Sequence, residues 1–284
     1  MVGIFMRLLS LVKENFMSWV LKAASASICT LVLSQAALAV DMSEADVAFA
    51  QRENNTAAIA KAREGYRQVL QTGTVDERRY AAGRLGRLAY FQGDLMTPAD
   101  DSGAGTRKQI FGECLSDLEA IAPSKIGPSI EYYYWKAVCT AFWCKAAGKF
   151  ASLGKITPLK EALGNTQEMD RQRKNSYEDG GIYRVLAGIY IGSPAMSLFG
   201  LYDPEAALVN INRAIAVGPR HYNAYVIKAD VLATLGQKSA ALSVLEDARH
   251  DLKKRIEDHT LAEGYEPEAR LMLPIINEKL RNIS

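Results

Sequence analysis

The chain has 284 residues, is 49% hydrophobic and 23% charged, and carries a formal net charge of only +2. That balance gives no electrostatic case for binding nucleic acid, and no basic run suggests an anionic membrane surface. The length allows one large domain with a sizeable core.

At the N-terminus, Lys22 precedes an apolar run, Ala23–Leu38, that closes on Ala37-Leu38-Ala39. A basic residue, a short apolar core and a small-x-small site form the pattern of a secretory signal, cleaved after Ala39. A membrane anchor is the alternative, but only Ile28–Leu33 is strongly apolar, and a span needs about 20 such residues. The stretch before Lys22 is long for a signal, so Met17 is an alternative start. Cys29 follows Ala-Ser-Ile, a poor match to a lipoprotein cleavage site, and no twin-Arg pair precedes the apolar run. Residues 40–284 then form a single domain with as many acidic as basic side chains.

Helical periodicity runs through almost all of that domain, and no segment reads as a strand. Ser43 and Asp46 open a first helix that continues, with a break near Asn54-Asn55, to Gln71. Thr74 and Glu77 form a capping box for a helix to Gln92, in which Leu85-Gly86, Ala89 and Gly93 match the front half of a tetratricopeptide unit. Asp94–Gly105 is expected to be a loop, with Thr106 and Gln109 capping the next helix. Gly103-Ala104-Gly105-Thr106-Arg107-Lys108 faintly resembles a phosphate loop, but its order is wrong and no strand precedes it.

Three cysteines follow the signal: Cys114, Cys139 and Cys144. An antiparallel hairpin turning near Pro123–Pro128 would bring Cys114 to Cys139, a pairing favoured over Cys114–Cys144. Cys144 is then a buried free thiol. No His or carboxylate shares the cysteine spacing, so no metal site is expected.

Ser129–Phe150 is the most unusual helix, with Tyr132, Tyr133, Tyr134 and Trp135 in succession and Phe142 and Trp143 beyond. Four consecutive aromatic residues point in four directions on a helix, so it is either buried among several others or lines an enclosed cavity. Core packing is the simpler reading; a pocket for a mostly apolar ligand is the other. Thr157-Pro158 starts another helix, whose charged end, Glu168–Lys174, is expected to face solvent. Asp179-Gly180-Gly181 breaks the chain before a helix over Ile182–Ile191. There a hinge with a local ion pair competes with a close backbone approach to a ligand, Arg184 meeting either Asp179 or an anionic group.

After an irregular connection, Ala195–Tyr202, Asp203-Pro204 caps the clearest repeat. Ala207, Ile211 and Ala214 recur 34 positions later as Ala241, Leu245 and Ala248, with Pro219 between and Tyr225, Ala229, Leu232 and Gly236 opening the second copy. This is the tetratricopeptide pattern, in which small residues let antiparallel helices approach. One repeat cannot bury its own apolar face, so neighbours are implied. Glu266-Pro267 opens a last amphipathic helix to about Arg281, expected to cap the solenoid. The fold expected is all-α, with about ten helices stacked as antiparallel hairpins in a tetratricopeptide-like solenoid.

Catalysis finds little support. His250 and His259 are not on one helical face, and His221 lies in a repeat turn where exposure is the default. There is no His-Glu-x-x-His and no Gly-x-Ser-x-Gly, and no cofactor is implied.

Several features together resemble one family: the signal, the Cys114 helix, Tyr134–Cys139, Gly180–Ala187 and the repeat Asp203–Pro219. They are similar to the periplasmic T component associated with TRAP-type transporters. The resemblance implies a periplasmic, non-enzymatic helical solenoid with a hydrophobic cleft, assisting a substrate-binding protein and handling apolar or lipid-like solutes, sterol-like ones included. The lining candidates are then Tyr132, Tyr133, Trp135, Trp143, Tyr183 and Tyr190, with Arg184 as polar anchor. The competing expectation is a scaffold whose concave face holds a partner protein and whose aromatic residues are only core.

Overall fold

The structure, a computed structural model, describes residues 42–53, 55–262 and 264–283. The secretory signal, the Cys29 anchor and the alternative start at Met17 lie outside the described residues. Among the described residues there is no strand. The helices are α1 (Met42–Ala50), α2 (Thr56–Thr72), α3 (Val75–Tyr90), α4 (Asp101–Leu118), α5 (Pro123–Ile126), α6 (Ile130–Ala147), α7 (Lys149–Ser152), α8 (Ile156–Arg171), α9 (Gly181–Tyr190), α10 (Pro204–Val217), α11 (Tyr222–Thr234), α12 (Lys238–Glu257) and α13 (Glu266–Ile283). Each long helix packs on its neighbour in sequence, giving the hairpins α1/α2, α3/α4, α6/α8, α9/α10 and α11/α12. The first members of successive hairpins also touch, α3 on α6, α6 on α9 and α9 on α11, as a helical-repeat stack requires.

Small residues set the spacing. Ala207, Ile211 and Ala214 are fully buried in one core cluster with Ala224 and Val231. Their counterparts Ala241, Leu245 and Ala248 lie in the next, under Tyr222, Val226 and the inward face of α13. In α3 and the π-helical turn Phe91–Met96 that extends it, the small positions hold aromatic rings. A Cβ on Gly86 would stand 2.3 Å from the Trp135 ring, and one on Gly93 would stand 2.6 Å from the Phe111 ring. Phe111 stacks in turn on Phe142 at 5.0 Å between centroids.

The disulfide joins α4 to α6 through Cys114 and Cys139, whose Cα atoms are 6.3 Å apart. Closing a loop of that separation stabilises the fold by about 3.5 kcal/mol in the chain-entropy account. Cys144 is free and half-buried, its pKa raised by burial.

Several boundaries differ from expectation. The segment after Tyr90 is no loop: a π-helical turn, Phe91–Met96, extends α3, and α4 opens at Asp101. Asp100, not Thr106, is the cap, its carboxylate accepting from Ser102 N at 3.1 Å. Arg107 turns back to donate to the Asp100 carbonyl at 3.0 Å, which draws the faint phosphate-loop sequence into a helix. The aromatic helix ends at Ala147 because Gly148 adopts φ 83°, leaving Phe150 outside it. Within the charged stretch, Asp170 is buried instead of solvated, because its carboxylate accepts from Ser176 Oγ at 2.7 Å and Tyr177 N at 2.6 Å.

The packing of Trp135 on Gly86 yields a direct test. Gly86→Val is expected to destabilise the fold by about 1–3 kcal/mol or more, because the ring has protein behind it. Gly105→Val, at a position where a Cβ meets nothing within 4 Å, should cost far less. Urea denaturation followed by circular dichroism measures both.

Candidate functional site

The seven residues expected to line a cleft are distributed over several environments. Tyr132 is buried, and its hydroxyl accepts from Lys136 Nζ at 2.8 Å. Tyr133 is half-buried with its ring against Tyr132 at 5.2 Å. Trp135 is buried on α3 and donates from Nε1 to the Tyr177 hydroxyl at 3.3 Å. Trp143 is half-buried between the ammonium groups of Lys108 and Lys155, 5.5 and 5.6 Å from its ring. Tyr183 and Tyr190 are half-buried and pack together against two core clusters, one from α6, α8 and α9 and one from α9, α10 and α11.

Arg184 is buried and already satisfied. Its Nη1 donates to the Asp179 carbonyl at 2.8 Å and its Nη2 to the Glu178 carbonyl at 2.6 Å. Those carbonyls are turned toward it because Glu178, Asp179 and Gly180 adopt φ values of 49°, 46° and 82° in succession. A left-handed run containing two non-glycine residues is costly, and here the guanidinium offsets it. Gly181 serves a different need: a Cβ there would lie 2.6 Å from the Tyr134 hydroxyl. The close approach that two glycines suggested is made by a ring of the same chain.

Beside this turn lies a polar hub that local sequence does not mark. Arg52 follows α1, is 1% exposed, and pairs with Glu268 in the first turn of α13. Arg87, on α3, donates from Nε to the other Glu268 oxygen at 3.0 Å. Both guanidinia also donate to the Gly264 carbonyl at 3.0 Å. Arg87 covers the Tyr265 ring at 3.7 Å. The Tyr265 hydroxyl donates to Glu178 at 3.2 Å, and His221 meets the same ring edge-on at 4.2 Å. Burial lowers the Arg52 pKa despite the neighbouring Glu268 carboxylate.

His221 was expected to be exposed, but its side chain is only 13% so. Burial, then the charges of Arg184 and Arg87, hold its pKa far below the ordinary value. The Asp179 carboxylate stands 3.3 Å away and opposes that shift, but it is 59% exposed and screened by water, so the downward direction stands.

A pocket of about 380 Å³ opens between the end of α8 and α10. Of the seven expected residues, Tyr183 alone lines it, under the Arg213 guanidinium at 4.3 Å. Its other walls include Arg171, Arg173, Lys174, Asp170 and Asp179, so the space is open and strongly polar. Among the described residues, no group of three or more His, Cys, Asp and Glu is placed to hold a metal ion. No family model matches this chain, and no curated protein matches it.

Two measurements test the hub. Glu268→Gln strands two buried guanidinia and is expected to cost about 3–5 kcal/mol. Lys61→Ala, which breaks an exposed pair with Glu44, should cost under about 1 kcal/mol. Because His221 stays neutral in the fold while the unfolded chain takes up a proton below its ordinary pKa of 6.5, its contribution is full above that pH. Stability then falls by about 1 kcal/mol per pH unit below it. His221→Gln should reduce that slope in thermal melts between neutral and mildly acidic pH.

Proposed function

We propose that this protein is a non-enzymatic helical-repeat scaffold, exported to the periplasm, that holds a macromolecular partner of a transport system. The observation that carries this reading is the aromatic helix. Tyr132, Tyr134 and Trp135 are buried against protein, and Phe142 is stacked on Phe111. Rings already spent on packing are not available to a ligand. The disulfide between Cys114 and Cys139 is compatible with an oxidising compartment. The transport connection, with a substrate-binding protein as the partner, rests on the resemblance to the TRAP-associated T component.

A carrier of an apolar solute or lipid is the second reading. In its favour, Tyr183 borders a space of about 380 Å³, within the range of ligand sites. Against it, most of the lining is charged, which suits an apolar cargo poorly.

The two readings separate by extraction. The exported protein, purified without detergent and extracted with organic solvent, is expected to give a blank mass spectrum, and cross-linking in the intact cell envelope to trap a partner protein. A lipid or sterol-like molecule recovered at stoichiometric amounts would replace the scaffold with the carrier.

A further inference from the structure

Around the N-terminal end of α8, four large apolar side chains stand in solvent. Phe150 is 92% exposed and Leu153 54%, on the turns just before α8. Leu198 is 89% exposed and Phe199 38%, on the 3₁₀ turn Pro194–Phe199. Lys160, in the second turn of α8, donates from Nζ to the Phe199 carbonyl at 3.2 Å, which anchors the second segment to the helix that follows the first. The first segment is held in shape by Ser152, whose hydroxyl donates to the carbonyls of Cys144 and Gly148 at 3.0 and 2.6 Å.

Along the sequence, the charge flanking these tips has one sign. From Tyr132 to Lys160 the sequence holds Lys136, Lys145, Lys149, Lys155 and Lys160 and no carboxylate, and from Gly180 to Tyr202 it again holds none. No consecutive basic run exists; of these lysines, Lys155 ends the first segment and Lys160 meets the second from α8. Among the described residues, Lys145, Lys155 and Lys160 form no salt bridge. The acids bounding these stretches are Glu131 and Glu161, and Asp179 and Asp203; Asp203 is engaged as the cap of α10, accepting from Ala206 N at 2.9 Å, and Lys145 faces Asp94. Trp143, between Lys108 and Lys155, adds an amphipathic ring of the kind that favours a membrane–water interface.

We propose that this patch docks on the surface of an anionic phospholipid bilayer. Phe150 and Leu198 enter the boundary between headgroups and acyl chains, and Lys155 and Lys160 meet the lipid phosphates. Contact with a second copy across a two-fold axis would set lysines against lysines, which opposes that occupant. The attachment is interfacial, since no described helix is long and apolar enough to cross a membrane.

Hydrogen exchange on the full chain, with and without vesicles, reads this surface locally, so other parts of the chain that touch lipid do not confuse it. Vesicles containing phosphatidylglycerol are expected to protect peptides covering 148–156 and 194–201. Phosphatidylcholine vesicles should not, and added salt should weaken the protection. Phe150→Ser with Leu198→Ser should lower the apparent affinity read at these peptides about tenfold, and Lys155→Glu with Lys160→Glu by a similar factor. The melting temperatures of both variants are measured to confirm folding. Unchanged exchange in both peptides with anionic vesicles overturns the proposal. So does equal protection by both vesicle types, or protection that grows with protein concentration without lipid, which would assign the patch to a second copy.

Discussion

Two arginines from the start of the chain share one carboxylate from its end. Arg52 and Arg87 converge on Glu268 and on the carbonyl of Gly264, with Tyr265 lying under the Arg87 guanidinium. A stack of hairpins needs only contacts between neighbours. Here the last helix is also tied to the turn after the first and to the third, so the two ends of the stack are held together. Two guanidinia so nearly excluded from water are tolerable only while that carboxylate and carbonyl remain in place.

The hub also explains a backbone that would otherwise be costly. Glu178 and Asp179 are held with positive φ between Arg184, which takes their carbonyls, and Tyr265 and His221, which take their side chains. Gly218 completes the fit, since a Cβ there would stand 2.4 Å from the Asp179 carbonyl. The turn before α9, the turn before α11 and the turn before α13 thus meet in one place. That convergence positions α9 and α10, and with them Tyr183 and Arg213 at the mouth of the polar pocket.

Tyr132, Tyr134 and Trp135 at the front of α6 serve the core. Trp135 packs on Gly86 of α3, Tyr134 on Gly181 of α9 and Phe142 on Phe111 of α4. Four of the large apolar side chains left in solvent lie instead at the turns beside α8, with Lys155 and Lys160. The interior and the outer surface therefore divide the work, one filled by its own residues and the other presenting apolar tips among cations.

Much of this was legible in the residues themselves. Helical periodicity, the Thr74–Glu77 and Asp203 caps, the paired alanine trios and the Cys114–Cys139 hairpin all rest on interactions within a few turns or between adjacent helices. The helix-repeat architecture followed from them. The hub did not, because Arg52 and Arg87 find their partners some two hundred positions away and carry no local mark. Nor did the burial of His221 and Asp170, the fate of Gly181, or the anchoring of the Phe199 turn to Lys160 of α8. Those depend on how the stack brings its turns together, and a periodic pattern specifies which face of a helix is buried but not which distant turn will cover it.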